Sequence, residues 1–256
     1  MYVNKNNFFV LFFSLLFPII AVADEELSSL YKQQGIEGVL ILSSLEGDVV
    51  YVHNSERAQR RFFPASTFKI PNTLIALEEG VIKDELEVIK WDGVVRSYQP
   101  WNKDQTLATA FSFSCVWCFQ GFAEKIGHEK YLKYLSALGY GNEKTGSDVT
   151  TFWLEGDLAI SAREQIDFLK KLVKEDLPFA TKHIHLLKKI MLVEETPTYS
   201  LWAKTGWTQD IGWYVGYVEV NDKIWLFANN IKVNSKADLP FRKELVIESL
   251  KLKGLI

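Results

Sequence analysis

Hydrophobic residues follow two different rhythms along this chain, and the order of those rhythms predicts its architecture. Residues 38–43 and 49–53 are apolar, β-branched runs split by Glu46-Gly47-Asp48, which predicts an antiparallel hairpin. Residues 62–65 then lead into a helix that opens at Ser66 and should end near Gly80. Pro71 lies inside that helix, beyond the position where proline is harmless, so its opening turns are expected to be irregular. The middle of the chain takes up helical spacing. Residues 112–126 stop before Gly127, and residues 129–138 stop before Gly139, a common C-terminal signal. Ser161-Ala162-Arg163-Glu164 is a capping box that starts a helix to about residue 174. Residues 180–192 form a further amphipathic helix.

Strand-like patterning returns over residues 199–204, 212–220 and 223–231, with Asn221-Asp222 as a tight turn between the last two. A final helix is expected over residues 239–253, before Gly254. The fold class that follows is α+β with two lobes. One antiparallel sheet draws strands from both chain ends and is flanked by N- and C-terminal helices. The helical middle forms the second lobe, and the Ser66 helix lies at the junction, where ligand sites are common.

The first residues stand outside this plan. Lys5 precedes an apolar run over residues 8–20, broken by Ser14 and Pro18, and Ala21-Val22-Ala23 follows it directly. The run is shorter than the roughly 20 residues needed to span a bilayer, and it ends on a small-residue cleavage signal. Residues 1–23 therefore read as a secretory signal peptide and residues 24–256 as a single domain, periplasmic after cleavage and without a membrane anchor. An uncleaved anchor is the alternative. The net charge of −3, with Lys and Arg scattered among Asp and Glu, leaves no basic stripe for a nucleic acid. The 48% hydrophobic content supplies a sizeable core, and the many Trp and Phe residues are most simply part of it.

Candidate chemistry begins with Ser66-Thr67-Phe68-Lys69. Residues three apart on a helix share a face, so Lys69 is placed to act on the Ser66 hydroxyl. A serine needs such a base to become a nucleophile. Ser114-Cys115-Val116 offers a second hydroxyl at the opening of a helix, able to relay a proton to a leaving group. Lys204-Thr205-Gly206, at the end of a strand, sets an ammonium beside a hydroxyl and lets a ligand approach the glycine backbone. Tyr140-Gly141-Asn142 is a turn expected to border the site. His183 and His185 are two apart and point to different sides of a helix, so no metal site is expected. Cys115 and Cys118 are the only cysteines. They read as two packed core thiols inside a helix, with an oxidised pair as the alternative in an oxidising compartment. Helical geometry suits such a bond poorly except near a helix end.

Taken together and in this order, Ser-x-x-Lys, a serine-based triplet and Lys-Thr-Gly resemble the penicillin-recognising serine enzymes. Within that group the chain resembles the class D β-lactamases, or oxacillinases. The resemblance covers essentially the whole mature chain. It is carried by residues 64–72, Ser114-Cys115-Val116, Tyr140-Gly141-Asn142, Thr151-Phe152-Trp153-Leu154, Lys204-Thr205-Gly206 and Leu239-Pro240-Phe241-Arg242-Lys243. Class A enzymes carry Ser-Asp-Asn where this chain has Ser-Cys-Val.

The resemblance implies a β-lactamase/transpeptidase-like fold and hydrolysis of penicillins of the oxacillin type through an acyl-Ser66 intermediate. It implies that Lys69 is carboxylated by carbon dioxide or bicarbonate and serves as general base in both half-reactions, with no metal and no other cofactor. Val116 would favour the neutral amine by desolvation. The indole N–H of Trp153 would hold the carbamate. Ser66 and Trp207 would supply the backbone N–H groups of an oxyanion hole. Lys204, Thr205 and Arg242 would hold the substrate carboxylate, and Gly206 would also bind the substrate. The partner expected is a small β-lactam, not a nucleic acid or a membrane, and the protein is expected to be a monomer or homodimer. Only residues 207–211 separate Gly206 from Gly212, a short connection expected to open the site to bulkier substrates, carbapenems among them. The competing readings are a penicillin sensor that is acylated and not turned over, and a cell-wall transpeptidase or carboxypeptidase.

Overall fold

The computed structural model describes residues 24–256, and the leader read in residues 1–23 lies outside them. Helix α1 (Glu25–Gln34) is capped by Asp24, whose side chain accepts from the Leu27 N–H at 3.1 Å, and it ends on Gly35 in the left-handed conformation. Strands β1 (Gly38–Ser44) and β2 (Val50–His53) form the expected hairpin. The Ser66 segment opens as a 3₁₀ turn over Ala65–Phe68 and continues as α2 (Lys69–Glu78). Pro71 thus falls in the first turn of the α-helix proper, where its missing N–H leaves no hydrogen bond unmade. Every α2 residue from Lys69 to Leu77 is buried, so this helix is the axis of the molecule and not a surface amphipathic element.

Strands β3 (Val88–Ile89) and β4 (Gln105–Thr106) form a small ribbon that the sequence did not suggest. The helix expected over residues 112–126 starts later, as α4 (Val116–Ile126), and a separate short helix that the sequence did not suggest, α3 (Leu107–Ser112), precedes it. Between them Ser114 takes a left-handed φ of 55°, a break that no Gly or Pro announces. Helices α5 (His128–Leu138), α6 (Ala162–Lys174) and α7 (Thr181–Met191) follow as read, and α6 begins on the Ser161–Glu164 capping box.

Strand β5 (Leu192–Glu195), also unforeseen, pairs with the start of β6 (Ser200–Thr208). Strands β7 (Ile211–Val220) and β8 (Lys223–Lys232) are joined by Asn221 and Asp222. Both turn residues have positive φ, 49° and 61°, as a type I′ hairpin requires. Helix α8 (Phe241–Leu252) closes the chain. The sheet is antiparallel throughout, in the order β2-β1-β8-β7-β6-β5.

The sheet separates two cores. On one face Leu27 and Tyr31 of α1 and Leu245, Val246 and Leu250 of α8 cover Leu40, Leu42, Val218 and Phe227. On the other, Val39, Ile41, Val215 and Ala228 meet the helical lobe around α2. The 3₁₀ turn with Ser66 lies against β6 and β7 at the boundary of the two lobes. Trp213 of β7 fastens that boundary by donating its indole N–H to Phe63 O at 2.9 Å.

Candidate active site

The 3₁₀ opening decides where the Ser66 hydroxyl goes. It leaves Ser66 6% exposed at the floor of a cleft, while Lys69 one turn on is wholly buried. Lys69 Nζ donates to Ser66 Oγ at 3.2 Å, the contact that the spacing predicts. Ala65 has a φ of 50°, a strained conformation for a residue with a side chain. Its N–H donates to Trp153 O at 2.9 Å, and the Thr67 N–H donates to Pro64 O at 3.1 Å. No acceptor among the described residues takes the Ser66 N–H between them. The Thr67 hydroxyl donates to Pro64 O at 2.6 Å and accepts from Gln165 Nε2 at 3.0 Å, which ties the turn to α6.

A second hydroxyl and amine face the first pair. The break between α3 and α4 presents Ser114, and Lys204 Nζ donates to Ser114 Oγ at 2.5 Å and to Thr205 O at 3.0 Å. Lys204 is only 4% exposed. It does not end its strand, as the sequence suggested, because β6 continues to Thr208. Side chains alternate across a strand, so Lys204 and Gly206 both face the helical lobe. A Cβ on Gly206 would come within 3.1 Å of Pro64 O and 3.2 Å of the Thr67 N. Glycine there is what lets β6 close on the Ser66 turn.

Strand β5 pairs only with Ser200, Leu201 and Trp202. Beyond that point β6 has no strand on its outer edge, and side chains take up the carbonyls of Thr205 and Gly206. The cleft, about 640 Å³, is lined by Ser66, Ser114, Val116, Thr205, Gly206 and Trp207, with Tyr98 and Trp101 on the helical side. Arg242 and Lys236 also line it, and no carboxylate does. Arg242 is no free surface charge: its Nη1 donates to Gly206 O at 2.9 Å and its Nε to Leu239 O at 2.8 Å. The Trp207 side chain is 41% exposed on the rim.

Burial governs the charges. It pushes Lys69 from an ordinary value of 10.5 down to about 7, and Arg242 down to about 10. Burial also drives Lys204 well below its usual range, helped by the nearby charges of Lys69, Arg242 and Lys243. The pocket therefore favours a neutral amine at Lys69 and, at its mouth, welcomes an anion.

Trp153 is fully buried, stacks on Phe68 with ring centres 5.7 Å apart, and its Nε1–H has no acceptor among the described residues. A buried donor without a partner is costly, so an acceptor added on Lys69, the residue that follows its stacking partner Phe68, fits this chemistry. Tyr140 sits elsewhere than expected. Its ring packs edge-on to Phe68, behind Ser66, and not on the cleft wall. Gly141 lies at a φ of 58° with Ala159 O only 2.2 Å from where a Cβ would be, so this turn is a packing joint. His183 and His185 hydrogen-bond to Glu78 and Glu175 respectively.

Two features escaped the sequence reading. Tyr98 and Trp101 form part of the cleft although such aromatics read as core; nothing in their spacing distinguishes them. Cys115 and Cys118 are joined by a disulfide, not packed as thiols. The physical reason is the break at Ser114: it makes Cys115 the N-cap of α4, a helix end where the bond is geometrically open to this spacing.

Comparison with known proteins agrees with this geometry. The family model described as penicillin binding protein transpeptidase domain matches residues 31–251. The chain is 42% identical over 230 residues to beta-lactamase OXA-48 of Klebsiella pneumoniae, covering 88% of this chain and 87% of that protein. Among solved structures, the class D β-lactamase FUS-1 (OXA-85) of Fusobacterium nucleatum superposes with a TM-score of 0.89 at 36% identity, covering 92% of this chain and 100% of that one. A class D β-lactamase from Nostoc gives a TM-score of 0.88 at 41% identity, over 90% of this chain and 99% of that one.

Proposed function

Because the chain belongs to the class D β-lactamases and is a β-lactam hydrolase, we propose that it works through an acyl-Ser66 intermediate with carboxylated Lys69 as its base. The observation that carries this reading is the pairing of Lys69 Nζ with Ser66 Oγ at 3.2 Å inside a pocket that holds the amine near neutrality. A neutral amine adds carbon dioxide and loses a proton. The resulting carbamate supplies a general base for both half-reactions, and the unpartnered Trp153 N–H fits it as a donor.

Ser66 Oγ gives up its proton and attacks the β-lactam carbonyl carbon, and the N–H groups of Ser66 and Trp207 receive the developing oxyanion. One such donor is worth about 2.7–4 kcal/mol in the transition state. As the ring C–N bond breaks, the nitrogen takes a proton from Ser114, and the proton that Ser66 gave the carbamate passes to Ser114 through Lys204, which frees the base for the second half-reaction. Water then attacks the ester carbonyl and loses its proton to the same base, and Ser66 Oγ leaves protonated. Thr205 and Arg242 hold the substrate carboxylate together with Lys204, and Gly206 gives it room beside the β6 backbone. Val116 keeps water from the amine.

The working protein is residues 24–256, a single domain delivered to the periplasm by cleavage of residues 1–23, and a monomer or homodimer. No helix among the described residues is long and apolar enough to cross a membrane. Purified protein mixed with oxacillin tests the mechanism. Sustained turnover that falls after acid treatment and degassing, and returns with bicarbonate, is expected. A rate indifferent to bicarbonate after that treatment would remove the carbamate from the mechanism. One stoichiometric acylation, stable for hours, would instead make the protein a sensor.

A further inference from the structure

The Cys115–Cys118 bond takes no part in the mechanism above, yet it starts at the residue after Ser114 and encloses Val116. Ser114 is in the left-handed region at a φ of 55°, where a residue with a side chain needs its surroundings to hold it. The local backbone bonds are few. The Ser114 N–H donates to Phe111 O at 3.1 Å, and the Cys115 N–H donates to Ala110 O at 2.8 Å. Trp101 Nε1–H donates to Phe113 O at 2.9 Å, which pins the break from the cleft side. From the α4 side the N-cap role falls to Cys115, whose Sγ accepts the Cys118 N–H at 3.3 Å. Sulfur is a weak acceptor, so the covalent link does what an Asp or Ser cap does elsewhere.

We propose that the Cys115–Cys118 disulfide is a positioning element for Ser114, clamping the first turn of α4 so that Ser114 Oγ stays within reach of Lys204 Nζ. This rests on Ser114 being the proton relay. The rest of α4 is secured independently by buried Trp117, Phe119 and Phe122. Breaking the bond therefore loosens the break between the helices and leaves the lobe folded. The middle residue of Ser-Cys-Val acquires a role, and hydrolysis becomes dependent on the oxidation state of the pair.

Reduction tests this directly. Cys118 is 1% exposed and borders a groove of about 400 Å³ lined by Ile82, Ile89, Trp117 and Phe122, so mild urea is used to admit the reagent. A dithiothreitol thiolate attacks Cys118 Sγ there and displaces the Cys115 thiolate. The reagent's second thiolate then closes its own ring and releases Cys118. Two electrons pass to the protein, each cysteine takes one proton, and dithiothreitol leaves as the cyclic disulfide.

The protein is reduced in mild urea, desalted without oxygen, and shown by thiol titration to carry two free thiols. Rates are expressed per folded molecule, counted by the native near-ultraviolet circular dichroism signal, so unfolded molecules drop out. Reduction of the native protein is expected to lower kcat for oxacillin roughly 10- to 100-fold, the scale of a small misplacement of a catalytic group. KM should change little, and reoxidation with diamide should restore the rate. In the Ser114→Ala background, reduction should change kcat less than about twofold, because the group being positioned is gone. The proposal fails if reduction leaves kcat per folded molecule unchanged, or lowers native and Ser114→Ala proteins equally. Cys115→Ala/Cys118→Ala, assayed the same way, must match the reduced protein or overturn the assignment. If Ser114→Ala alone keeps the native kcat, it is the relay reading that falls.

Discussion

The two faces of the sheet are built to different standards. On the side of α1 and α8 the core is apolar, and its polar groups are mostly matched. Tyr31 donates to Asn229 Oδ1 at 2.7 Å, and Asn229 Nδ2 donates to Arg242 O at 2.8 Å. Ser249 Oγ is the unpartnered buried polar atom on that side. On the side of α2, two lysines lie in the interior, and Ala65 and Ser114 sit at positive φ. There Trp153, Gln165, Asn72 and Tyr140 each keep a buried polar atom without a partner. Unmet hydrogen bonds and strained backbone cost stability. Their concentration on one face says that the other face supplies the stability that the catalytic face consumes.

The sharpest way to break that contrast is at its centre. Ser66→Ala should lower turnover by about 10⁴-fold or more, with no covalent adduct on oxacillin by mass spectrometry. Residual labelling would place the nucleophile elsewhere. Next comes a pair of substitutions, one on each face. Leu250→Ala should cost about 2–5 kcal/mol in urea unfolding and leave kcat near native at a temperature where the variant is folded. Trp153→Phe should do the reverse, with unfolding little changed and kcat down about 10- to 100-fold, as for loss of a hydrogen bond to a charged group worth about 1.5–3 kcal/mol. If both variants lose stability alike, the division between the faces is false.

Arg242→Ala should act mainly on KM, raising it about 10-fold or more for substrates with the carboxylate. A fall confined to kcat would remove Arg242 from binding. A further effect concerns pH. Lys69 titrates near 7 in the fold against 10.5 in a free side chain. Below pH 7 both folded and unfolded chains carry the proton, and the full penalty of burying an ammonium applies. Between 7 and 10.5 the unfolded chain binds more protons, so stability rises with pH. The urea midpoint of degassed protein should climb from pH 6.5 to 9, and Lys69→Met should flatten that rise. An equal climb in the variant would assign it to other groups.

The local signals that proved readable were those with a direct steric or hydrogen-bonding cause. Ser161 and Glu164 mark the start of α6, Asn221-Asp222 marks the β7–β8 turn, and Pro71 marks the irregular opening of α2. What stayed hidden was set by tertiary contact. The apolar stretch from Phe111 to Phe122 gives no sign that it breaks at Ser114, because the break is held by Trp101 from outside the segment. Lys204-Thr205-Gly206 looked like a strand end because glycine interrupts the alternation. In fact the close approach of Thr67 accounts for that glycine, and β6 runs on past it. The connection to β7 thereby shrinks to Gln209 and Asp210. If that short turn opens access beside Trp207, measurable hydrolysis of imipenem is expected. Acylation without turnover would show that access alone does not govern the spectrum.

The uncovered half of β6 carries a consequence for how such a site changes over time. Where β5 stops at its partner Trp202, the surface offered to a ligand is main chain, identical for almost any sequence that keeps the strand. Amino-acid replacement cannot easily erase a peptide N–H or carbonyl. If a substrate lies along this edge, recognition of its core would be insulated from mutational drift, and adaptation to new compounds would fall to the replaceable rim at Tyr98, Trp101, Trp207 and Lys236.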